Sequence, residues 1–215
     1  MAFIFKKYLL PALACWILYG TPHGTRAQSR YLGEALFEGT MDEYIQGNYK
    51  AAARGFRKFL ELAPNDFNGY YLLAHSLKHL GDLDGALKNY EQALKINPNN
   101  VDAHIYAGIL LQKKKDYDKA EAHYERALEI LPGDSESLVL MGTIRYESKD
   151  YDGALAYCNK ALEIEPDNAR INYEMGRILL KLGEKARAVE HFKKALELNP
   201  CYSHADKALK EISEQ

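Results

Sequence analysis

Residues 65–98 read NDFNGYYLLAHSLKHLGDLDGALKNYEQALKINP, and residues 99–132 read NNVDAHIYAGILLQKKKDYDKAEAHYERALEILP. The two stretches align without a gap, and each ends in proline. Beyond these two stretches, proline recurs every 34 residues, at Pro64, Pro98, Pro132, Pro166 and Pro200. A fixed period of this length predicts an array of identical structural units.

Other residue types also recur every 34 residues, and we call each such set of equivalent positions a column. Each column has a physical role. Small residues allow two helices to approach closely, while aromatic and leucine residues at helical spacing form a buried stripe. The small column is Thr40, Ala74, Gly108, Gly142 and Gly176. The aromatic column is Phe56, Tyr90, Tyr124, Cys158 and Phe192, and the leucine column is Leu60, Leu94, Leu128, Leu162 and Leu196.

Each period predicts two helices, because proline ends the second one and polar residues mark the starts. Asp66, Asn100, Asp134 and Asn168 are candidate N-caps of first helices. Between the two helices of a pair, glycine can end the first and Asn or Asp can cap the second, as at Gly81 and Asp82. We expect first helices at 33–46, 67–80, 101–114, 135–148 and 169–182. We expect second helices at 49–62, 83–96, 117–130, 151–164 and 185–198, and a last helix at 203–213.

These columns together resemble the tetratricopeptide repeat family, most clearly over Tyr70, Leu73, Ala74, Leu77, Gly81, Ala86, Tyr90, Ala93 and Pro98. The resemblance implies an all-α, right-handed α-solenoid with five repeats over 33–200 and a capping helix within 201–215. The chain departs from the family pattern in having no Trp in the aromatic slot of the first helix. The first repeat also has Gly39 and Phe59 at unusual places.

The resemblance further implies a concave groove formed by the first helices, aromatic toward the N-terminal repeats and basic at the far end. The matching slots hold Phe37, Met41, Tyr44, Tyr71, His75, His79, Ile105, Ile109, Val139, Tyr146, Tyr173 and Arg177, and Glu136, Arg170 and Lys181 share this face. The alternative role for the apolar members is packing between helices. The carboxylate clamp of some relatives is rejected, because its slots here hold Phe37, Met41, Leu72, Asp102 and Tyr106.

Composition and motifs argue against several function classes. The net charge of −2, from 28 basic and 30 acidic residues, is unlike that of a nucleic-acid-binding domain. No phosphate-binding loop, Ser/His/Asp arrangement or pair of carboxylates indicates an enzyme or a cofactor. His75 and His79 lie four residues apart, but Ser76 stands where a catalytic zinc motif needs Glu. We therefore expect no catalysis, no cofactor and no metal, and two unpaired thiols at Cys158 and Cys201.

The first 27 residues differ from the rest and predict a signal peptide. Lys6 and Lys7 precede an apolar run, and a small-residue stretch ends at Ala27, where cleavage is expected. A short linker at 28–32 would follow. The chain is then exported, to a periplasm or out of the cell. An uncleaved membrane anchor in this segment is the alternative.

The repeats and the leader together predict a non-catalytic adaptor that binds a peptide or helix of a protein partner in the concave groove. The alternative is a structural subunit of an envelope assembly, such as a secretion or pilus machine, which docks through its convex face. Neither the partner nor the oligomeric state follows from the sequence.

Overall fold

A computed structural model describes the backbone of residues 24–214 and the side chains of residues 29–214. Residues 1–23, which hold most of the predicted signal peptide or anchor, lie outside the described residues. Over the described part the chain is all-α, with eleven helices and no strand. The helices are α1 (Gly24–Ile45), α2 (Tyr49–Leu62), α3 (Phe67–His79), α4 (Leu83–Ile96), α5 (Val101–Lys113), α6 (Tyr117–Ile130), α7 (Ser135–Glu147), α8 (Tyr151–Ile164), α9 (Ala169–Lys181), α10 (Lys185–Leu198) and α11 (Ser203–Ser213).

The predicted helix pairs are confirmed, and the second helices and α11 have the expected bounds. The first helices end one residue earlier than expected. The main difference is at α1, which begins at Gly24 and so continues through 28–32, where we expected a linker. No proline interrupts this stretch, and Arg30 Nε lies 3.0 Å from Glu34 Oε1 one turn later, a pairing that supports the extra helical turns.

Side-chain caps fix most of the predicted helix starts. Asp66 accepts a hydrogen bond from the Gly69 N–H at 2.8 Å, and Asn100, Asp134 and Asn168 cap their helices in the same way. Among second helices, Asp82 and Asp150 cap through their carboxylates. Asp116 does not, because its carboxylate instead binds Lys119 Nζ at 2.7 Å. Asn48 likewise makes no side-chain cap, and its amide nitrogen donates to Glu43.

The turn inside each helix pair needs one residue with a left-handed backbone. Gly47, Gly81 and Gly183 provide it at φ of 78°, 82° and 81°. In the other two pairs the same place is taken by Lys115 at φ 63° and Lys149 at φ 65°. A side chain in this region is strained, whereas glycine adopts it readily.

The chain divides into two compact units, one ending at Pro98 and the other beginning at Asn99. Unit 1 contains the pairs α1–α2 and α3–α4, with α2 packed against α3. Its core is formed by the aromatic column, in which Phe56 and Tyr90 are fully buried, together with Ala52, Ala74 and Ala86.

Unit 2 contains the pairs α5–α6, α7–α8 and α9–α10, with α11 packed on α10. Tyr124 and Phe192 of the aromatic column are fully buried, and each ring lies against a glycine of the small column, Gly108 or Gly176. The Tyr124 hydroxyl donates to Gln112 Oε1 at 3.0 Å, so its burial leaves no hydroxyl unsatisfied. Among residues 24–214, no helix is long and apolar enough to cross a membrane.

Candidate protein-interaction surface

In unit 1, the predicted groove residues of α1 lie on aromatic rings of α2. The Phe37 ring centroid lies 4.9 Å from that of Phe59 and 5.8 Å from that of Phe56. Tyr44 lies 5.7 Å from Tyr49 at an edge-on angle. Phe37, Met41 and Tyr44 are all half-buried, so each combines packing with an accessible face.

The groove residues of α3 extend this aromatic series. Tyr71 stacks on Phe67 at 5.5 Å and lies 4.6 Å from His75. At the end of the helix the His79 ring stacks on Tyr49, with centroids 4.1 Å apart and planes only 5° from parallel. Unit 1 therefore presents a nearly continuous set of rings along its first helices.

Among the predicted groove residues of unit 1, His75 is the only buried one, with 8% of its surface exposed. Burial lowers its pKa to about 4, and the nearby Lys78 and His79 add to the shift. The imidazole is thus neutral near pH 7, and it contacts Tyr71 and Tyr90 as an aromatic ring. This environment favours a packing role over a charged contact with a partner.

In unit 2 the apolar groove positions are less accessible. Ile105 is 6% exposed and Val139 2%, and Val139 belongs to the core formed with Cys158, Ile171 and Met175. Ile109 is half-buried. Ile105 and Val139 therefore pack between helices, which is the alternative role given above for the apolar groove residues.

The remaining three positions of unit 2 come together. The guanidinium carbon of Arg177 lies 4.5 Å from the Tyr146 ring centroid and 5.9 Å from that of Tyr173. Arg177 Nη1 also lies 2.7 Å from Glu174 Oε2. Two tyrosine rings and a carboxylate thus hold one guanidinium in a fixed orientation, with 29% of the arginine side chain exposed.

A second ion pair lies on the same side, between consecutive first helices. Arg170 Nη1 of α9 donates to both carboxylate oxygens of Glu136 on α7, each at 2.7 Å. Burial alone would lower the pKa of Arg170, but the hydrogen bond and the charge of Glu136, with Glu174, outweigh burial and raise it. We call Glu136, Tyr146, Arg170, Tyr173, Glu174 and Arg177 the unit 2 first-helix face.

Sequence reasoning missed Glu174, which belongs to this face, and Tyr202, which packs against it. Glu174 could have been found from its three-residue spacing to Arg177, which places both on one side of a helix. Tyr202, just before α11, lies 5.3 Å from the Tyr173 ring, and no sequence signal distinguishes it from a loop residue.

His104, His123 and His191, which lie outside this face, also make side-chain contacts between the two helices of a pair. His104 Nδ1 lies 3.0 Å from His123 Nδ1, and His191 Nδ1 lies 3.0 Å from Asn172 Oδ1. The two pairs occupy the same slot two repeats apart, because 172 − 104 and 191 − 123 both equal 68. Burial, with the charge of His104, lowers the pKa of His123 to about 4. No group of three metal-ligating side chains occurs among the described residues.

Helix pairs repeated every 34 residues, packed through small and aromatic columns, define the chain as a tetratricopeptide repeat protein, an all-α solenoid that serves as a protein-interaction scaffold. A family model described as "Cytochrome c-type biogenesis protein H TPR domain" matches residues 23–171, and a tetratricopeptide repeat model matches 145–212. The chain belongs to the first of these families. Neither description is that of an enzyme. No curated protein sequence matches the chain.

Several solved structures share the fold. MamA residues 41-end from Desulfovibrio magneticus RS-1 is 22% identical with a TM-score of 0.72, over 79% of this chain and 96% of that one. YrrB, titled a TPR protein with an unusual peptide-binding site, is 22% identical with a TM-score of 0.67, over 82% and 91%. A thermophilic TPR protein of Thermus thermophilus is 21% identical with a TM-score of 0.66, over 85% and 100%.

Proposed function

We propose that this chain is a non-catalytic adaptor of an exported compartment that holds a peptide or helix of a partner protein against its first helices. The observation that carries the proposal is the aromatic series of unit 1, in which Phe37, Tyr44 and Tyr71 are packed on one side and accessible on the other. Tyrosine and phenylalanine held in this way supply large contact areas at little cost in side-chain entropy.

Unit 2 supports the same role with different chemistry. There Tyr146 and Tyr173 flank the guanidinium of Arg177, and two Glu–Arg pairs surround them. Rings combined with oriented charges are typical of interaction surfaces, because the rings provide affinity and the charges select the partner.

Site-specific photocrosslinking tests which surface binds. The photoreactive amino acid p-benzoylphenylalanine is placed at Tyr44, Tyr71 or Tyr146 on first helices, and at Lys88 or Asn159 on the accessible sides of α4 and α8 as matched controls. We expect adducts to a partner in the native cell from the first-helix positions and none from the controls. The alternative, a structural subunit docked through its second helices, predicts adducts from Lys88 and Asn159 instead, and that outcome would overturn the adaptor proposal.

The exported location is tested by the mass of the chain isolated from its native cell. Cleavage after Ala27 leaves a mature protein that begins at Gln28, with 25 basic and 30 acidic residues, because Lys6, Lys7 and Arg26 are removed from the 28. A mature mass that starts at Gln28 supports export with cleavage. The full-length mass in a membrane fraction would support the anchor, and the full-length mass in the cytoplasm would contradict export.

The description of the matched family suggests the process in which to look for the partner, namely the biogenesis of c-type cytochromes. We propose that the adaptor acts there. Haem staining of a strain that lacks the gene should then show reduced covalently attached haem. Normal staining, with the protein confirmed to be expressed in the parent strain, would contradict a role in the biogenesis of c-type cytochromes. The adaptor role would not be affected, because the crosslinking experiment tests it separately.

A further inference from the structure

Two histidine rings meet between the paired helices α5 and α6. His104 Nδ1 lies 3.0 Å from His123 Nδ1, and the two ring planes are inclined by 49°. The residues are 19 positions apart in the sequence, so no short motif indicates the pair. Both side chains are half-buried, which leaves the pair accessible to a small ion. In the protein alone, one Nδ1 carries a proton and donates it to the other.

The spacing of the two helices at this point is fixed by a neighbouring contact. Gly108 lies one turn after His104, and Tyr124 directly follows His123. A Cβ at Gly108 would collide with the fully buried Tyr124 ring, whose hydroxyl is in turn held by Gln112 at 3.0 Å. Side chains mounted on a rigid helix pair are held more precisely than those on loops, so the two imidazoles are preorganised.

The same slot recurs two repeats later with different chemistry. There Asn172 Oδ1 lies 3.0 Å from His191 Nδ1. An Asn–His pair therefore satisfies the packing of this slot, and a second histidine is not needed for it. What His104 adds is a second imidazole nitrogen, and imidazole is a ligand for copper, nickel and zinc, whereas an amide carbonyl suits harder ions such as calcium.

The distance between the two nitrogens matches a metal ion bound to both. With metal–imidazole bonds of about 2.0–2.1 Å, the ion would lie about 1.4 Å off the line that joins the Nδ1 atoms, at an N–metal–N angle of about 90–97°. A small rotation of each ring about χ2 turns both lone pairs toward that point. The angle suits tetragonal Cu(II), while tetrahedral zinc needs a wider one, and Cu(II) also binds nitrogen ligands most tightly among these divalent ions.

We propose that His104 and His123 form a binding site for Cu(II), in which Nδ1 of each ring is a ligand and water fills the remaining positions. The ring that carries its proton on Nδ1 shifts it to Nε2, so both rings bind as neutral imidazoles and no net proton is released. Burial, with the charge of His104, lowers the pKa of His123 to about 4, which keeps that ring neutral near pH 7. The described residues place no third metal-ligating side chain in a group with these two.

Copper titration of the full-length chain at about pH 7.4 tests the site. Accessible thiols, Cys201 among them, are first blocked with N-ethylmaleimide, because thiols reduce Cu(II). The variant His104→Asn copies the Asn172–His191 pair into this slot and so keeps its packing. We expect calorimetry to show one equivalent of copper more for the wild type than for this variant, in which affinity at the slot should fall at least about tenfold. The control His191→Asn, which removes a histidine outside the pair, should bind as the wild type does.

The second slot provides a gain-of-function test. Asn172→His places two imidazoles at the position where the wild type has an Asn–His pair, so it should add a further equivalent of bound copper. Electron paramagnetic resonance of the wild type and of this variant should show hyperfine coupling to two imidazole nitrogens for each ion gained. Circular dichroism confirms that the helices of each variant are intact.

Equal copper binding by the wild type and by His104→Asn would overturn the proposal, because the ion would then be held by other groups. Spectra without imidazole nitrogen coupling would overturn it as well. Failure of a folded Asn172→His variant to gain an equivalent would count against it, since the slot spacing would then not suffice to bind the ion. None of these outcomes bears on the proposed adaptor function, which does not depend on a metal.

Discussion

The small column of unit 2 holds glycine in all three repeats, at Gly108, Gly142 and Gly176, but the side chain that faces the glycine differs between them. A Cβ added to Gly176 would come within 2.6–2.8 Å of the Phe192 ring, whereas one added to Gly142 would meet Cys158 Sγ at 3.0 Å and the Ala154 carbonyl oxygen at 3.3 Å. As packed in unit 2, the rings of Tyr124 and Phe192 leave no room for a Cβ opposite them, while Cys158 leaves more.

We predict that Gly176→Ala lowers the free energy of unfolding by about 1–2 kcal/mol, since the strain of overpacking exceeds the gain in helix propensity. Gly142→Ala should stay within about 1 kcal/mol of the wild type, because a small movement of the cysteine relieves the contact. Urea unfolding followed by circular dichroism measures both. Equal losses for the two variants would contradict this account of the column.

A second prediction at the residue scale concerns the pH dependence of stability. The pKa of His75 is lowered to about 4 by burial, with smaller effects of Lys78 and His79, while Tyr71 and Tyr90 pack on its ring without charge. An unfolded histidine titrates near a pH of about 6.5, so below that pH the unfolded state binds a proton that the folded state resists. Stability from this group is complete above a pH of about 6.5 and declines as the pH falls toward 4.

The comparison of wild type with His75→Phe isolates this group, since phenylalanine keeps the ring contacts and does not titrate. Between about pH 7.5 and pH 5 the wild type should lose about 1–2 kcal/mol relative to the variant. Urea midpoints at a series of pH values provide the measurement. Parallel curves for the two proteins would show that His75 is protonated in the folded state as readily as in the unfolded one.

At the scale of the element, the turns inside the helix pairs are not equivalent. Lys115 and Lys149 adopt the left-handed backbone that glycine adopts in the other three pairs. We predict that Lys115→Gly raises the free energy of unfolding by about 0.5–1 kcal/mol, because relief of the strain exceeds the entropy cost of glycine.

The neighbouring Lys114 is the matched control for this prediction, since it has an ordinary φ of −81° at the end of α5. Lys114→Gly should be neutral or destabilising, by up to about 1 kcal/mol. Thermal and urea unfolding of both variants give the sign of each change. If both substitutions destabilise the protein, the Lys115 side chain stabilises the fold by more than the strain of its left-handed backbone destabilises it.

At the scale of the whole molecule, the two thiols of unit 2 report on its unfolding. Cys201 is exposed, whereas Cys158 is 1% exposed, and burial, with the charge of Glu174, raises its pKa to about 12. In a Cys15→Ser variant at about pH 8, maleimide should modify Cys201 rapidly. Cys158 should react only when unit 2 opens, because a buried thiol is neither ionised nor accessible.

Mass spectrometry after timed labelling gives the rate at each thiol. In increasing urea, modification of Cys158 should follow the unfolding of α8 and its neighbours, since each repeat is stabilised mainly by the repeats beside it. Reaction of Cys158 in native buffer at a rate close to that of Cys201 would show that the aromatic column is open at this repeat.

The sequence alone determined the period, the helix pairs, most of their bounds and the tetratricopeptide fold. These depend on local physics: proline ends a helix, Asp66 and its equivalents cap the next one, and apolar residues at helical spacing mark the buried stripe. The start of α1 was placed too late, because helix-forming residues before the first repeat carry no repeat signal of their own. The sequence also indicated which side chains share the first helices, and unit 1 retains that aromatic series.

Only the tertiary structure decided how accessible those side chains are and which of them meet. Val139 and Tyr146 lie on the same side of α7, yet one is in the core and the other contacts Arg177 from the next repeat. The pairing of Glu136 with Arg170 likewise joins residues 34 positions apart. Contacts of this kind depend on the exact approach of neighbouring helices, which is set by packing over the whole repeat and not by any local pattern.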